Sequence, residues 1–395
     1  MAGRPLQSGV WEAPGRVNLM GEHTDYNGGF VLPFALPHTT STAAARRGDR
    51  TVQVRSSSEQ ADPVSFSLDG LAPGRVEGWA SYVAGTLWAL EQAGYALPGL
   101  DLEIDSDVPS GAGLSSSAAL ECSVGLAAAE LAGHRIGRME LAAIAQRAEN
   151  DFVGMPCGIM DQVASLLGRQ GHAVLLDTRS LEVEQVPFEL EAAGLSLMVI
   201  DSRAEHRLVD GEYAQRRAQC EQGAAVLGLK SLRDLNDAGI TAEQLARRLD
   251  EAAGHRAAGD RAAGNELILR RLRHVLTEND RVLAARDALR EGRPHDLGVI
   301  LTASHASQRD DFEITVPETD TMVETLLEHG ALGARQVGGG FGGCVIALAE
   351  SGQVAGLLEA VHANARRRGY SGPLALTAQP AAGARRAAPE LKNCL

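Results

Sequence analysis

Lysine is almost missing from this 395-residue chain: Lys230 and Lys392 are its whole complement, and neither follows a glycine. A Walker-type phosphate loop, which needs a glycine-lysine pair, is therefore excluded. The five cysteines, Cys122, Cys157, Cys220, Cys344 and Cys394, are odd in number and form no C-x-x-C pair. That pattern argues against a zinc cluster or a disulfide framework, and reduced thiols are expected. No apolar run approaches the roughly 18 residues that span a bilayer, and Met1 to Trp11 holds no apolar signal core. A soluble cytoplasmic protein is the expectation. Positive charge is short as well, the formal net charge being −14, so neither nucleic acid nor an anionic membrane is an expected partner.

Glycine, at 44 residues, is plentiful, and one glycine-rich stretch stands out: Ser110-Gly111-Ala112-Gly113-Leu114-Ser115-Ser116-Ser117-Ala118-Ala119. It follows an alternating segment (Leu102, Ile104, then Val108-Pro109) and runs into an Ala-rich helical stretch, Ala118 to Leu131. A strand, a small-residue loop and a helix N-terminus together make an anion site, because unpaired N–H groups and the positive helix end face the loop. Without lysine, phosphate charge must be met by backbone N–H groups, seryl hydroxyls, arginine and a divalent metal.

The length suggests two domains, divided between Thr178 and Glu191. Helices are expected over Trp79 to Leu90, Met139 to Glu149, Gly211 to Leu227 and, in one or more pieces, Glu266 to Leu289. Strands are expected within Phe30 to Leu36 and Thr39 to Ala45, and over Asp101 to Asp107, Ala173 to Leu176, Leu195 to Ile200, Ala334 to Val337 and Cys344 to Ala349. Loops are expected at Ser56 to Pro63 and Ala252 to Gly264, and a weakly ordered tail over Pro380 to Leu395. The mixture reads as α+β.

A second polar cluster, Gly15 to Gly29, sets Arg16, Glu22, His23 and Asp25 among glycines that permit tight turns, an arrangement suited to a small polyhydroxylated ligand. Alone, it reads rather as a capped polar turn. Asp161 lies in a largely apolar neighbourhood, where a carboxylate needs a partner or a task. A helix cap or ion pair would serve as well as catalysis. Glu149 reads as a helical side chain and Tyr213 as a helix aromatic. The Gly338 to Gly343 run is too long for an ordinary hairpin and suggests close backbone approach.

Taken together, these stretches resemble the GHMP family of small-molecule kinases. Pro14-Gly15-Arg16-Val17-Asn18, the loop Pro109 to Ala119 and Gly338 to Gly343 match the wider family. Gly21 to Asn27, Met155 to Gln162, Glu212 to Arg217 and Ser304 to Glu313 are similar to its galactose-phosphorylating members. Gln308, where leucine is commoner, and the loosely matched stretch Ser202 to Asp210 depart from that pattern. The resemblance implies an N-terminal α/β domain over 1–180 and a C-terminal ferredoxin-like α+β domain over 181–395, with the active site between them. It implies ATP-dependent phosphorylation of the galactose anomeric hydroxyl, at the entry to the Leloir pathway, with no obligatory protein partner. Asp161 would be the catalytic carboxylate and Arg16 its electrostatic partner. Glu22, His23, Asp25, Gly158 and Tyr213 match sugar-binding positions. Pro109, Ser110, Gly111, Ala112, Gly113, Leu114, Ser115, Ser116 and Ser117 match the ATP phosphate loop, and Trp79 matches an aromatic near adenine. Ser117 and Glu149 match Mg²⁺ positions. The rivals implied are a noncatalytic sensor and kinases of N-acetylgalactosamine, arabinose, mevalonate or homoserine.

Overall fold

The computed structural model describes residues 7–57, 62–109, 111, 113–204, 209–253 and 261–387. Its first half opens with β1 (Ser8–Asn18), β2 (Phe30–Val31), β3 (Pro33–Arg46), β4 (Thr51–Ser56) and β5 (Val64–Ser67). Helix α1 (Ala80–Gln92), strand β6 (Leu100–Ser106), helices α2 (Ser116–Ala132), α3 (Arg138–Arg147) and α4 (Met160–Leu167), and strands β7 (His172–Asp177) and β8 (Val183–Pro187) follow. The second half contains β9 (Leu195–Asp201), α5 (Val209–Val226), α6 (Arg233–Asp237), α7 (Ala242–Ala253), α8 (Arg261–Arg290), α9 (Leu297–Ser307) and α10 (Pro317–Glu328). It closes with β10 (Gly333–Gln336), β11 (Cys344–Glu350), α11 (Val354–Arg368), β12 (Leu374–Thr377) and β13 (Arg385–Arg386).

The strands form a six-stranded sheet ordered β13-β1-β3-β6-β4-β5, a four-stranded sheet ordered β10-β11-β9-β12 and a three-stranded sheet ordered β2-β7-β8. In the first sheet β4 and β6 run parallel and the other pairs antiparallel. Helices α1 and α2 cover it through a core that includes Trp11, Val83, Leu87, Leu102 and Val124. Alanines let α2 sit this deep, Ala118, Ala119, Ala127 and Ala128 being fully buried.

The four-stranded sheet is covered on both faces, which explains why β9 and β11 read as unbroken apolar runs rather than alternating ones. Met198 and Ile200 point to α10 and α11 with Met322 and Val361. Leu197 and Val199 instead join Val17, Phe34, Leu114 and Leu301 in a core shared between the two halves. This shared core fixes the phosphate loop against the C-terminal sheet.

Most expected elements form, with differences at their ends. The Phe30 to Leu36 segment is divided between β2 and β3, and β3 continues through Pro37 into Thr39 to Ala45. Met139 to Glu149 ends as α3 at Arg147 and passes into a π-turn, Ala148–Val153. The expected loop Ala252 to Gly264 is shorter at both ends, with α7 reaching Ala253 and α8 starting at Arg261; residues 254–260 are outside the described residues, as are 58–61 of the loop Ser56 to Pro63. The expected weak tail is a correction: Ala381 N–H bonds Ala35 O at 2.8 Å, and Arg385–Arg386 pair with Trp11 and Glu12 of β1. Backbone pairing to an open sheet edge overrides the loop-like composition there. Residues 388–395 of that tail, including Cys394, lie outside the described residues.

Candidate active site

Arg16 stands at the end of β1, just past a bulge where the β1–β3 register shifts between Pro14 and Arg16. Gly15 makes this possible, since a Cβ there would lie 2.7 Å from Leu114 O. The close approach lets Arg16 N–H bond Leu114 O at 3.0 Å, and the bulge turns the guanidinium inward. Its Nε and Nη2 donate to Asp161 Oδ1 and Oδ2 at 2.8 and 2.9 Å, and Nη1 donates to Gly113 O at 2.6 Å. Asp161 sits in the first turn of α4, which is tied to β1 by Ser165 Oγ donating to Pro14 O. Ser115, held at φ 61°, donates Oγ to Asp161 Oδ2 at 2.5 Å. One carboxylate thus joins a strand end, the loop and a second helix.

The loop itself fits an anion. Gly111 and Gly113 adopt left-handed φ of 72° and 73°, and no side chain caps the start of α2, leaving its N–H groups for a ligand. Pro109 and Ser115 to Ser117 are half-buried and Leu114 is buried. Ser110 and Ala112 lie outside the described residues.

Ser117 Oγ donates to Glu149 Oε1 at 3.2 Å. Glu149 lies in the π-turn, and burial, with Asp161 adding repulsion, pushes its carboxyl up to about 7. A buried carboxylate and a hydroxyl facing the phosphate loop fit Mg²⁺, which is typically held by one or two carboxylates plus substrate phosphates. Among the described residues no group of three or more His, Cys, Asp or Glu converges as a self-sufficient metal cage.

On the other side of Asp161 lies the Gly21 to Gly29 loop. Thr24 Oγ1 donates to Gly21 O and Phe30 O, Asn27 Nδ2 donates to His23 O, and His23 takes φ 62°. These bonds fix the turn and free its functional side chains to face one cavity. Asp25 lies against Gly158, where any Cβ would overlap Asp25 Oδ2. Burial, then the nearby Asp161, raises the Asp25 carboxyl to about 6. His23 bonds Tyr26 Oη at 2.8 Å and stacks within 5.1 Å of the Tyr213 ring. Burial lowers its imidazole to about 3, so it is neutral near pH 7. Burial likewise raises the Tyr213 phenol well above its ordinary value, leaving it protonated.

Arg16, Glu22, His23, Asp25, Glu149, Gly158, Asp161 and Tyr213 line one cavity of about 200 Å³ with Met155, Pro156, Cys157, Met160, Gly338 and Gly339. Drug-sized pockets usually run about 300–1,000 Å³, so this one suits a single small ring. Trp79 is not brought to it; the residue precedes α1 and packs on the first-sheet core. The late glycine run closes the cavity, with Gly338 N–H bonding Glu22 Oε1 at 3.0 Å and Gly339 O meeting His23 Nε2 at 3.2 Å.

Sequence reasoning missed the groups that brace the site from the second half. Fully buried Arg335 pairs with Glu22 Oε2 at 2.6 Å and donates to Asn18 O and Leu19 O. Glu278 accepts from Gly21 N–H and Ser304 Oγ; burial would raise it, but Arg281, with further charges, holds it down to about 2. Arg335 had one legible signal, a lone charge inside an apolar run beside the glycine loop. Glu278 had none, being one of many charges on a long helix.

Three family models match this chain: the GHMP kinases N terminal domain over residues 81–169, the galactokinase galactose-binding signature over 2–46 and the GHMP kinases C terminal over 285–367. The galactokinase of Streptomyces coelicolor is 47% identical over 378 residues, 96% of this chain and 94% of that protein. That of Mycobacterium tuberculosis H37Rv is 44% identical, spanning 94% of this chain and 97% of its own length. Lactococcus lactis galactokinase complexed with galactose superposes with a TM-score of 0.87 at 33% identity, covering 96% of this chain and 95% of that one. A mevalonate kinase structure at 15% identity and TM-score 0.64 shares the fold. The chain belongs to the GHMP kinase family, and its two-domain α+β architecture is that family's. Within the family it falls among the galactokinases and is a kinase, an enzyme of the transferase class. No helix among the described residues is long and apolar enough to cross a membrane.

Proposed function

We propose that the chain transfers the γ-phosphoryl group of ATP to the anomeric hydroxyl of α-D-galactose, giving α-D-galactose 1-phosphate, the substrate for entry into the Leloir pathway, and ADP. The observation that carries this reading is the Asp161 carboxylate, gripped through both oxygens by Arg16 between the loop Pro109 to Ser117 and the sugar-facing cluster. Asp161 takes the hydroxyl proton as the sugar oxygen bonds to phosphorus and the bond to the ADP oxygen breaks. Arg16 holds the Asp161 carboxylate in place through both oxygens and faces charge growing on the transferring group. Glu22, His23, Asp25, Gly158 and Tyr213 orient the ring. Uncapped N–H groups at the α2 start and the hydroxyls of Ser115 to Ser117 receive the phosphates, with Trp79 on the adenine side. Ser117 and Glu149 would hold Mg²⁺, which supplies positive charge to the β- and γ-phosphates. The cut between 1–180 and 181–395 belongs to this reading, as do a cytoplasmic setting, supported by four unpaired cysteines among the described residues, and action without an obligatory protein partner.

The test is ADP release from purified protein with Mg-ATP across free sugars. Galactose is expected to lead, and glucose, its 4-epimer, to lose about 1–3 kcal/mol, or roughly 5- to 150-fold, through one unpaired polar group. Equal turnover of the two sugars, or none with any sugar, sinks the reading; the latter favours a sensor. Gly158→Ala should move Asp25 aside, and a displacement of ~1 Å costs on the order of 10²-fold. We expect that loss in kcat/KM for galactose with KM for ATP unchanged, read from steady-state kinetics.

A further inference from the structure

Glu121 is fully buried on α2, one helical turn beyond Ser117, so both side chains face the same way. Its Oε2 accepts from Gln162 Nε2 at 3.3 Å, while Oε1 has no partner among the described residues. Gln162, equally buried, is the neighbour of Asp161 on α4, and the same Nε2 donates to Glu149 Oε2 at 2.9 Å. The two amide hydrogens of one nitrogen are therefore shared between two carboxylates. Gln162 Oε1 finds no donor, so the amide is not oriented by its oxygen; the pair of acceptors holds it nitrogen-first toward Glu149. With Glu121 gone, the Glu149 contact and a long, weak one to Cys157 Sγ at 4.0 Å are what resist rotation of the amide, and a rotated amide would set its oxygen against Glu149 Oε2. Glu149 has little else to steer that oxygen, its further contact being the weak Cys157 Sγ donor at 3.4 Å.

We propose that Glu121 is a positioning residue for the cation-facing side of the site, acting through the Gln162 amide to fix the orientation of Glu149. Nothing about Glu121 touches sugar or nucleotide; its effect passes through two side chains. The inference rests on the assignment of Ser117 and Glu149 to Mg²⁺. Groups that orient a metal ligand in this way typically matter 10- to 100-fold for metal affinity.

The experiment measures the Mg²⁺ concentration that half-saturates ADP binding, by calorimetry without galactose, in the full chain and in Glu121→Met, Gln162→Met and Glu149→Gln. Glu121→Met nearly keeps the shape, removes the acceptor for Gln162 Nε2 and should fold. A rise of about 10-fold or more in half-saturating Mg²⁺ is expected for it, with galactose affinity in the absence of nucleotide and the melting temperature held. Gln162→Met should give the same rise and serves if Glu121→Met fails to fold. An Mg²⁺ dependence within about twofold of the parent in both variants overturns the inference. So does a matching loss of galactose affinity, which would mean general disruption. If Glu149→Gln shifts the dependence and the other two do not, this inference alone falls. If Glu149→Gln leaves it unmoved, the Mg²⁺ assignment falls and takes this inference with it.

Discussion

Asp161→Asn is expected to leave a folded protein that binds nucleotide yet turns over at least ~10²-fold more slowly, the lower end of what a positioned acid–base group contributes. The amide matches the carboxylate in shape, and Arg16 keeps its bond to Gly113 O, so β1 and the phosphate loop stay together. What disappears, under the proposed mechanism, is the acceptor for the sugar proton. The Arg16 guanidinium also loses its counter-charge at 2.8 Å, so some loss of stability accompanies the kinetic effect. Circular dichroism melting and nucleotide titration would verify the fold, and ADP release would read the rate. Turnover near that of the parent would remove Asp161 from the chemistry.

Arg335→Met should be the most destabilising of the single changes considered, by about 3–5 kcal/mol, the range for breaking a buried pair by removing one partner. Arg335 is fully buried, and its loss strands Glu22 and leaves two carbonyls of β1 and the following turn, Asn18 O and Leu19 O, without this donor. The deficit should depend on pH. Burial already raises the Glu22 carboxyl and Arg335 opposes it; without the guanidinium it rises further. A carboxyl that holds its proton more tightly when folded gives stability that is present at low pH and lost as pH rises through the folded value. Urea unfolding should therefore show a larger deficit at about pH 8 than at about pH 5. Adding Glu22→Gln to the same chain should recover part of the stability, because the stranded charge is gone. A deficit below about 1 kcal/mol, or one that grows toward acid, would contradict this account.

The candidate site residues were legible where the sequence broke its own pattern. Ser110 to Ser117 interrupts an alternating strand and an Ala-rich helix, and Asp161 is an acid among apolar neighbours. Arg16, Glu22, His23 and Asp25 crowd between glycines, and all four line the same cavity as Asp161. The resemblance then gave each a task that spacing alone left open. What stayed hidden was long-range bracing. Gln162 and Glu121 look like ordinary helix residues until α2 and α4 are packed together, and Glu278 meets Gly21 only through the tertiary fold. The tail misled for the same reason: Ala, Pro and Arg carry no local signal for a strand, and β13 exists because β1 offers it an edge.

That last pairing bears on how the molecule is born. Strand β1 leaves the ribosome and lays out Trp11 and Glu12 long before the segment that covers this flank, Arg385–Arg386, is synthesised. At translation speeds of about 5–20 residues per second the uncovered ribbon waits many seconds. An unpaired edge is a template for joining another chain, so until its cover arrives the nascent polypeptide offers such an edge along the very strand that carries Arg16.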